Sequence, residues 1–282
     1  MSLADKFRYD GKRVLVMGGA TGMGAAGAEL ALALGAEVIV MDYAPIAQSG
    51  VQRIKLNLAE RASIDAALTE VQGAVDVIFA CAGVAEGTPG IERINFVGHR
   101  YLIEKLLAEG RIRKGGAVCF ISSSAGLGWE QAFAELSELL DIRDFDAAAE
   151  WLRAHGKANY MGTKQAVCAY VAREALAFLK KGIRINAICP GPTDTPLAQA
   201  NQWLSGGADF RKEAGIGPST PMEQAYPLAF LCSDAAAAIA GITLVSDLGW
   251  FNAGLVHSFP PAAPIAEFLM GRKLTFPKGD QQ

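Results

Sequence analysis

The sequence predicts an α/β fold: one parallel sheet, doubly wound, with helices on both faces. Two observations point there. Short apolar runs alternate along the chain with longer helical patterns, the arrangement that feeds parallel strands through helical crossovers. A glycine-rich turn, Gly18-Gly19-Ala20-Thr21-Gly22-Met23-Gly24, separates the first apolar run from the first helical pattern. The chain has 282 residues, 51% of them hydrophobic, enough to bury a full core as one large domain.

Residues 13–17 carry Val14-Leu15-Val16 and end in glycines, the pattern of a buried parallel strand. Residues 25–34 are rich in Ala and Leu and stop at Gly35, which predicts a helix closed by a glycine. Residues 37–41 form the next strand, with Asp42 at its carboxyl end, completing a βαβ unit. Further strands are expected at 75–80, 117–121, 183–188 and 242–245, and helices around 91–109 and 157–181. Two stretches depart from this alternation. Residues 129–157 are rich in Ala, Leu, Glu and Asp and read as an insertion of one or two amphipathic helices. Residues 250–282 hold Pro260, Pro261, Pro264 and Pro277 and read as an extended tail with one short helix near 265–270. No repeat, linker or low-complexity segment divides the chain, so residues 1–282 are expected to form a single domain.

The formal net charge of −3 gives no pull toward nucleic acid or an anionic membrane. The apolar segments are too short and interrupted for a membrane-spanning helix, and the first twelve residues lack the apolar core of a signal peptide. The five cysteines, Cys81, Cys119, Cys168, Cys189 and Cys232, have no paired spacing. Buried reduced thiols in a cytoplasmic protein are the expectation. His99, His155 and His257 are widely separated. No His, Cys and carboxylate cluster has the spacing of metal ligands, so no metal is expected.

The glycine turn is a candidate dinucleotide cradle. Gly18, Gly22 and Gly24 permit a tight turn and close approach of backbone N–H groups to a pyrophosphate, with Thr21 and Met23 beside them. The helix that follows adds its partial positive charge. Asp42 lies 18 residues past Gly24, where a carboxylate can accept hydrogen bonds from the adenosine ribose. It would also repel a 2′-phosphate, and neither Thr21 nor Tyr43 offers a cation to hold one. NAD is therefore expected over NADP. The competing reading of Asp42 is a surface acid at a strand end.

Tyr160 and Lys164 are one helical turn apart and so share a face. A phenol titrates near pH 10, too high for a base near neutrality, and a neighbouring ammonium is expected to lower that value. Such a pair can carry a proton to or from a hydroxyl, although Tyr and Lys meet at this spacing on many helices.

Together these motifs resemble the short-chain dehydrogenase/reductase family. Ile121-Ser122-Ser123 resembles its strand-5 serine motif, and the resemblance gives the catalytic role to Ser123, with Ser124 as the alternative one register away. Asn95 in Ile94-Asn95-Phe96-Val97-Gly98 resembles the asparagine that completes the family's tetrad with Ser123, Tyr160 and Lys164. The segment 184–191, ending Cys189-Pro190-Gly191, resembles the family's turn beside the nicotinamide. Thr193 and Thr195 follow it, and Thr195 matches the hydroxyl that meets the carboxamide. The resemblance covers residues 12–250. It implies a single-domain Rossmann-type fold and Lys164 bound to the nicotinamide ribose. It also implies an Asn95-held water linking Lys164 to solvent.

Several positions depart from the family pattern. An Asn-Ala-Gly triplet is replaced by Cys81-Ala82-Gly83, so an amide contact must be made another way. Cys81 is expected to be a small packed side chain, with a redox-active thiol as the alternative. Asn57, followed by Leu58, stands where the family has an adenine-contacting Asp. Residues 42–53 are too few for a crossover helix. Ser123 and Tyr160 are 37 residues apart, far more than usual. The long insertion, the missing helix and Cys-Ala-Gly together resemble one branch. That branch includes bacterial 3α-hydroxysteroid dehydrogenase/carbonyl reductase and coniferyl alcohol dehydrogenases. In the steroid enzyme the insertion blocks the common four-helix association surface, which implies a homodimer through the other surface.

The expected activity is hydride transfer between NAD and a secondary or aryl-allylic alcohol or carbonyl on a bulky apolar small molecule, with a hydroxysteroid favoured. Trp129, Phe133, Leu197, Trp203, Trp250 and Phe251 suit such a substrate, although aromatic stretches are more often core than pocket. The alternatives are a phenylpropanoid alcohol dehydrogenase, a dinucleotide sensor without catalysis and an epimerase or dehydratase of the extended relatives, which usually carry a differently spaced glycine motif and a larger substrate domain.

Overall fold

The computed structural model describes residues 3–197 and 207–271. Its strands are β1 (Arg13–Met17), β2 (Glu37–Asp42), β3 (Val51–Lys55), β4 (Val75–Ala80), β5 (Ile112–Ile121), β6 (Arg184–Pro190) and β7 (Thr243–Ser246). All pair in parallel, in the order β3-β2-β1-β4-β5-β6-β7. The order reverses between β1 and β4. This switch point leaves a crevice at the carboxyl ends of the strands, where doubly wound sheets bind ligands.

Alternation along the strands builds two cores. Val14 and Val16 of β1 pack on one face with Val38, Val40 and Phe79. Leu15 and Met17 pack on the other with Ile39, Met41 and Phe120. The first face is covered by α1 (Gly22–Ala33) and the opposite one by α2 (Arg61–Glu70), α3 (Gly98–Ala108) and α6 (Tyr160–Lys180). The insertion forms α4 (Phe133–Asp141) and α5 (Phe145–Ala154). Asp144 caps α5 by accepting from the N–H groups of Asp146 and Ala147. Leu136, Leu139, Phe145 and Leu152 of these helices belong to the α6-side core.

The chain runs from β2 to β3 without a helix, as the short 42–53 segment required. Helix α2 was not anticipated, nor was a helix after β6. Past α7 (Ala208–Ala214), α8 (Pro221–Cys232) packs with α1 over the first core, where Gly27 lets the Leu228 side chain approach. The tail forms α9 (Trp250–Leu255) and α10 (Ala263–Met270) rather than one short helix in an extended segment. Trp250, Phe251, Phe259 and Leu269 bury themselves against Leu127, Cys168 and Cys189 in a third cluster. Burial of this apolar surface makes the tail fold back, and Trp250 and Phe251 are packing residues there. Residues 272–282 and Trp203 lie outside the described residues. No described helix is long and apolar enough to cross a membrane.

Candidate active site

The glycine turn has the geometry its composition requires. Gly18 and Gly22 adopt φ of +84° and +57°, the left-handed region that side chains disfavour. A Cβ on Gly18 would lie 2.3 Å from the Ala82 Cα, and one on Gly24 would lie 1.9 Å from the Gly18 carbonyl oxygen. The turn therefore packs directly on the 81–83 loop, which is hung from β1 by the Cys81 N–H bond to the Met17 carbonyl, 2.9 Å.

This turn, the end of β2, Asn57 and Leu58, and Cys81 to Gly83 wall a cleft of about 490 Å³, closed on the far side by Thr195 and Leu197. The sequence-predicted cofactor residues Gly18, Thr21, Gly22, Met23, Gly24 and Asp42 thus meet in one place. Each Asp42 oxygen accepts a backbone N–H at 2.8 Å, from Ala20 in the turn and from Ala44. The carboxylate is fixed at the turn, with a second lone pair on each oxygen for a ribose. The Asn57 side-chain oxygen, Oδ1, accepts from the Ala59 N–H at 3.1 Å and likewise keeps a lone pair. Pro190, Gly191 and Thr193 are not among the walls of this cleft. They form the adjoining turn at the end of β6, where a Cβ on Gly191 would meet Asp247 at 2.6 Å and Thr193 donates to the Gly191 carbonyl.

The residues of the expected tetrad are buried together behind Gly83. Lys164 is 3% exposed and Tyr160 7%. The Lys164 ammonium donates to the Ile121 carbonyl at 2.9 Å and stands 5.6 Å from the Tyr160 ring centre. A Cβ on Gly83 would lie 3.5 Å from Asn95 Oδ1 and 3.7 Å from Lys164 Nζ. Asn95 lies in a π-helical turn, Arg93–Val97, leading into α3, a distortion frequent at functional sites. Its amide grips Val84 from both sides: Oδ1 accepts from the Val84 N–H at 2.8 Å and Nδ2 donates to its carbonyl at 3.3 Å.

The three serines separate by role. The Ser122 hydroxyl donates to the Lys164 carbonyl at 2.9 Å, which ties β5 to α6. Ser123 ends the strand in extended geometry and caps the short turn that begins at Ser124, accepting from the Ala125 N–H at 3.2 Å. Of the three, Ser123 is the one whose side chain acts on the Tyr160 phenol.

The electrostatics differ from the sequence expectation. Burial raises the Tyr160 phenol above its ordinary value, and the neighbouring Ser123 side chain only partly opposes it. Burial also lowers Lys164 to about 8. Both groups have been stripped of water, and the charged form of each pays for it. The ammonium bonds a carbonyl rather than the phenol, so in the ligand-free chain it does not offset the phenol's burial. Cys81 behaves as a packed side chain: it abuts Gly24, and burial pushes its thiol up, away from the reactive thiolate. All five cysteines are free. No group of metal-ligating side chains occurs among the described residues.

Some neighbours carried no usable sequence signal. The Glu86 carboxylate accepts from the Tyr160 N–H at 2.7 Å, across a loop whose path only the fold reveals. Thr163 accepts from Asn95 Nδ2 at 3.3 Å. Lys55 stands opposite Asp42 in the β2–β3 register, with its ammonium 4.2 Å from the Tyr43 ring; it is distant in sequence from Thr21 and Tyr43, and only strand pairing brings a cation here. Trp129 and Phe133 contact each other edge to face and pack partly buried on the core.

Known proteins share this architecture over nearly its whole length. The model of the NAD dependent epimerase/dehydratase family matches residues 14–163, and that described as enoyl-(acyl carrier protein) reductase matches residues 146–251. A coniferyl-alcohol dehydrogenase of Pseudomonas sp. is 28% identical, covering 84% of this chain and 96% of its own. A cis-4-hydroxycyclohexanecarboxylate dehydrogenase of Sinomonas cyclohexanicum is 30% identical, covering 84% and 95%. The crystal structure of a 3-alpha-hydroxysteroid dehydrogenase from Pseudomonas sp. B-0831, complexed with NADH, superposes with a TM-score of 0.68 at 26% identity, covering 88% and 99%. A glycine cradle that leaves no room for side chains, at the switch point of a seven-stranded parallel sheet, and relatives matched almost end to end lead to one conclusion: this chain belongs to the short-chain dehydrogenase/reductase family of nicotinamide-dependent oxidoreductases.

Proposed function

We propose that the protein interconverts a secondary or aryl-allylic alcohol and its carbonyl on a bulky apolar small molecule, with NAD preferred and a hydroxysteroid the favoured substrate. The observation that carries this reading is the burial of Tyr160, Lys164, Ser123 and Asn95 together behind Gly83, a wall of the cleft that also holds Asp42. When bound, NAD supplies the hydride acceptor or donor. Gly18 to Gly24 would hold its pyrophosphate, Asp42 its adenosine ribose, and Lys164 its nicotinamide ribose. Asn57, Leu58 and the 81–83 loop would line the adenine side, and Pro190, Gly191, Thr193 and Thr195 the carboxamide side. Tyr160 exchanges the proton with the substrate oxygen. Ser123, whose side chain neighbours that phenol, steadies the charge that develops there. Asn95 holds the route by which Lys164 exchanges protons with solvent.

Preference for NAD rests on Asp42, whose carboxylate faces any 2′-phosphate. Lys55 is the nearest counter-argument, and its ammonium is already taken by the Tyr43 carbonyl. The similarity to a coniferyl-alcohol dehydrogenase supports a phenylpropanoid alcohol as the second reading. For assembly, α4 of the insertion packs on α6, covering the face through which the family commonly forms four-helix contacts. The opposite edge strand, β7, is half-exposed along its length, which supports a homodimer on that side. Free cysteines support a cytoplasmic setting.

The test is absorbance at 340 nm with NAD or NADP against 3-hydroxysteroids and cinnamyl-type alcohols. NAD-dependent turnover is expected, and the better substrate class decides between the two readings. In Asp42→Ala the preference for NAD over NADP should fall about tenfold or more, the worth of one charge-assisted contact. An unchanged preference would remove Asp42 from that role, and silence with every alcohol would contradict the reading.

A further inference from the structure

Cysteine stands at position 81, where the family pattern that the sequence resembles has an asparagine, and a side chain from α3 donates to the cofactor loop. His99, on the first turn of α3, places Nε2 2.9 Å from the Ala82 carbonyl oxygen. A carbonyl only accepts, so Nε2 carries the proton and Nδ1 is bare. The ring is 1% exposed and meets Phe120 edge to face at 6.0 Å. Nδ1 is buried with no hydrogen-bond partner, a cost that an apolar residue of similar size would avoid. Packing alone does not explain a histidine here; the bond to Ala82 does. Burial lowers the ring's pKa to about 4, so near neutrality it acts as a neutral donor and not as a charge.

The position of that carbonyl gives the bond its consequence. Ala82 is the residue on which Gly18 packs with no room for a Cβ. Asn95, one turn before His99, clasps Val84 on the same loop. Gly98 lets α3 approach the Leu58 carbonyl, where a Cβ would lie at 2.4 Å. The start of α3 therefore braces the Asn57-Leu58 and Cys81–Gly83 walls of the cleft together, and His99 is the brace on the residue that the glycine turn packs against.

We propose that His99 is a positioning residue that holds the Cys81-Ala82-Gly83 loop in the shape that binds the dinucleotide. This rests on the nicotinamide-cofactor reading of the same cleft. Removing the donor loosens the loop under the glycine turn and weakens cofactor binding, while the protein without cofactor remains folded.

The experiment is NADH binding, followed by fluorescence, in His99→Phe and His99→Gln, together with melting of the ligand-free proteins. His99→Phe keeps the ring contact with Phe120 and loses the donor. Its NADH dissociation constant should rise about tenfold or more, and His99→Gln, which keeps a donor at the Nε2 position, should recover most of the loss. Equal binding in His99→Phe and the unsubstituted protein, or an equal loss in both variants, overturns the proposal. Failure of the unsubstituted protein to bind NADH would overturn the site reading itself and the proposal with it. Should His99→Phe not fold, nitrogen-15 spectra of the unsubstituted protein give an independent answer. An Nε2–H tautomer that shifts on NADH addition supports the brace; an Nδ1–H tautomer, or no response to NADH, contradicts it.

Discussion

Lys164 is held where its charge is least at home. It is enclosed by α6, β5 and Gly83, with one carbonyl for a partner, and its pKa falls from an ordinary 10.5 to about 8. Between those two values the unfolded chain binds a proton that the folded chain has released. Stability must therefore rise with pH across this window and be flat in this respect below it. Lys164→Met removes the effect. Urea titrations at pH 8 and pH 10 should show the unsubstituted protein gaining more stability than the variant, by on the order of 1 kcal/mol per pH unit at most. Parallel curves would mean that Lys164 keeps its ordinary pKa despite its burial. Neither this shift nor the raised Tyr160 phenol was legible in the sequence. Spacing places two residues on one face of a helix, but only the packed structure shows how much water each has lost.

At the scale of elements, most of the sheet was legible because its central strands are apolar runs ended by glycine, proline or a polar residue; edge strand β3, Val51-Gln52-Arg53-Ile54-Lys55 with only Ile54 buried, carries no such run and was not expected. Helix α8 was overlooked although its start carries a strong signal. Thr220 accepts from the Glu223 N–H at 3.2 Å and its own N–H donates to Glu223 at 2.7 Å, with Pro221 in the first turn. Thr220→Ala should lower stability by about 1 kcal/mol, seen as a lower urea midpoint with an unchanged slope; an unchanged midpoint would show the cap to be dispensable. Helix α2 offers no such cap, and tertiary packing decides it. The tail was misjudged for a related reason. Its prolines suggested extended chain, yet proline is tolerated in the first turn of a helix, and Pro260 and Pro264 occupy such positions. Burial of Phe259 and Leu269 against α6 and β6 then folds the segment.

In the whole molecule, the grouping of the glycine turn, Asp42, Asn95, Ser123, Tyr160 and Lys164 was legible because each stands in a motif whose order along the chain the family resemblance supplies. The contacts that hold them, from Glu86, Thr163 and His99, join segments that only the parallel crossovers bring together. The same crossovers leave two faces with different fates: the insertion covers the α6 side, and β7 stays open at the other edge. Light scattering in solution should give the mass of a dimer, twice 29.7 kDa per chain. A tetramer would show that the insertion does not block the second surface. The central claim is that Tyr160 carries the proton while the cleft holds the dinucleotide. Its most direct test sets the alcohol-oxidation rate of Tyr160→Phe beside its NADH binding by fluorescence. The account predicts a loss of turnover of about a hundredfold or more, with NADH binding close to that of the unsubstituted protein. Comparable turnover in the variant would contradict it.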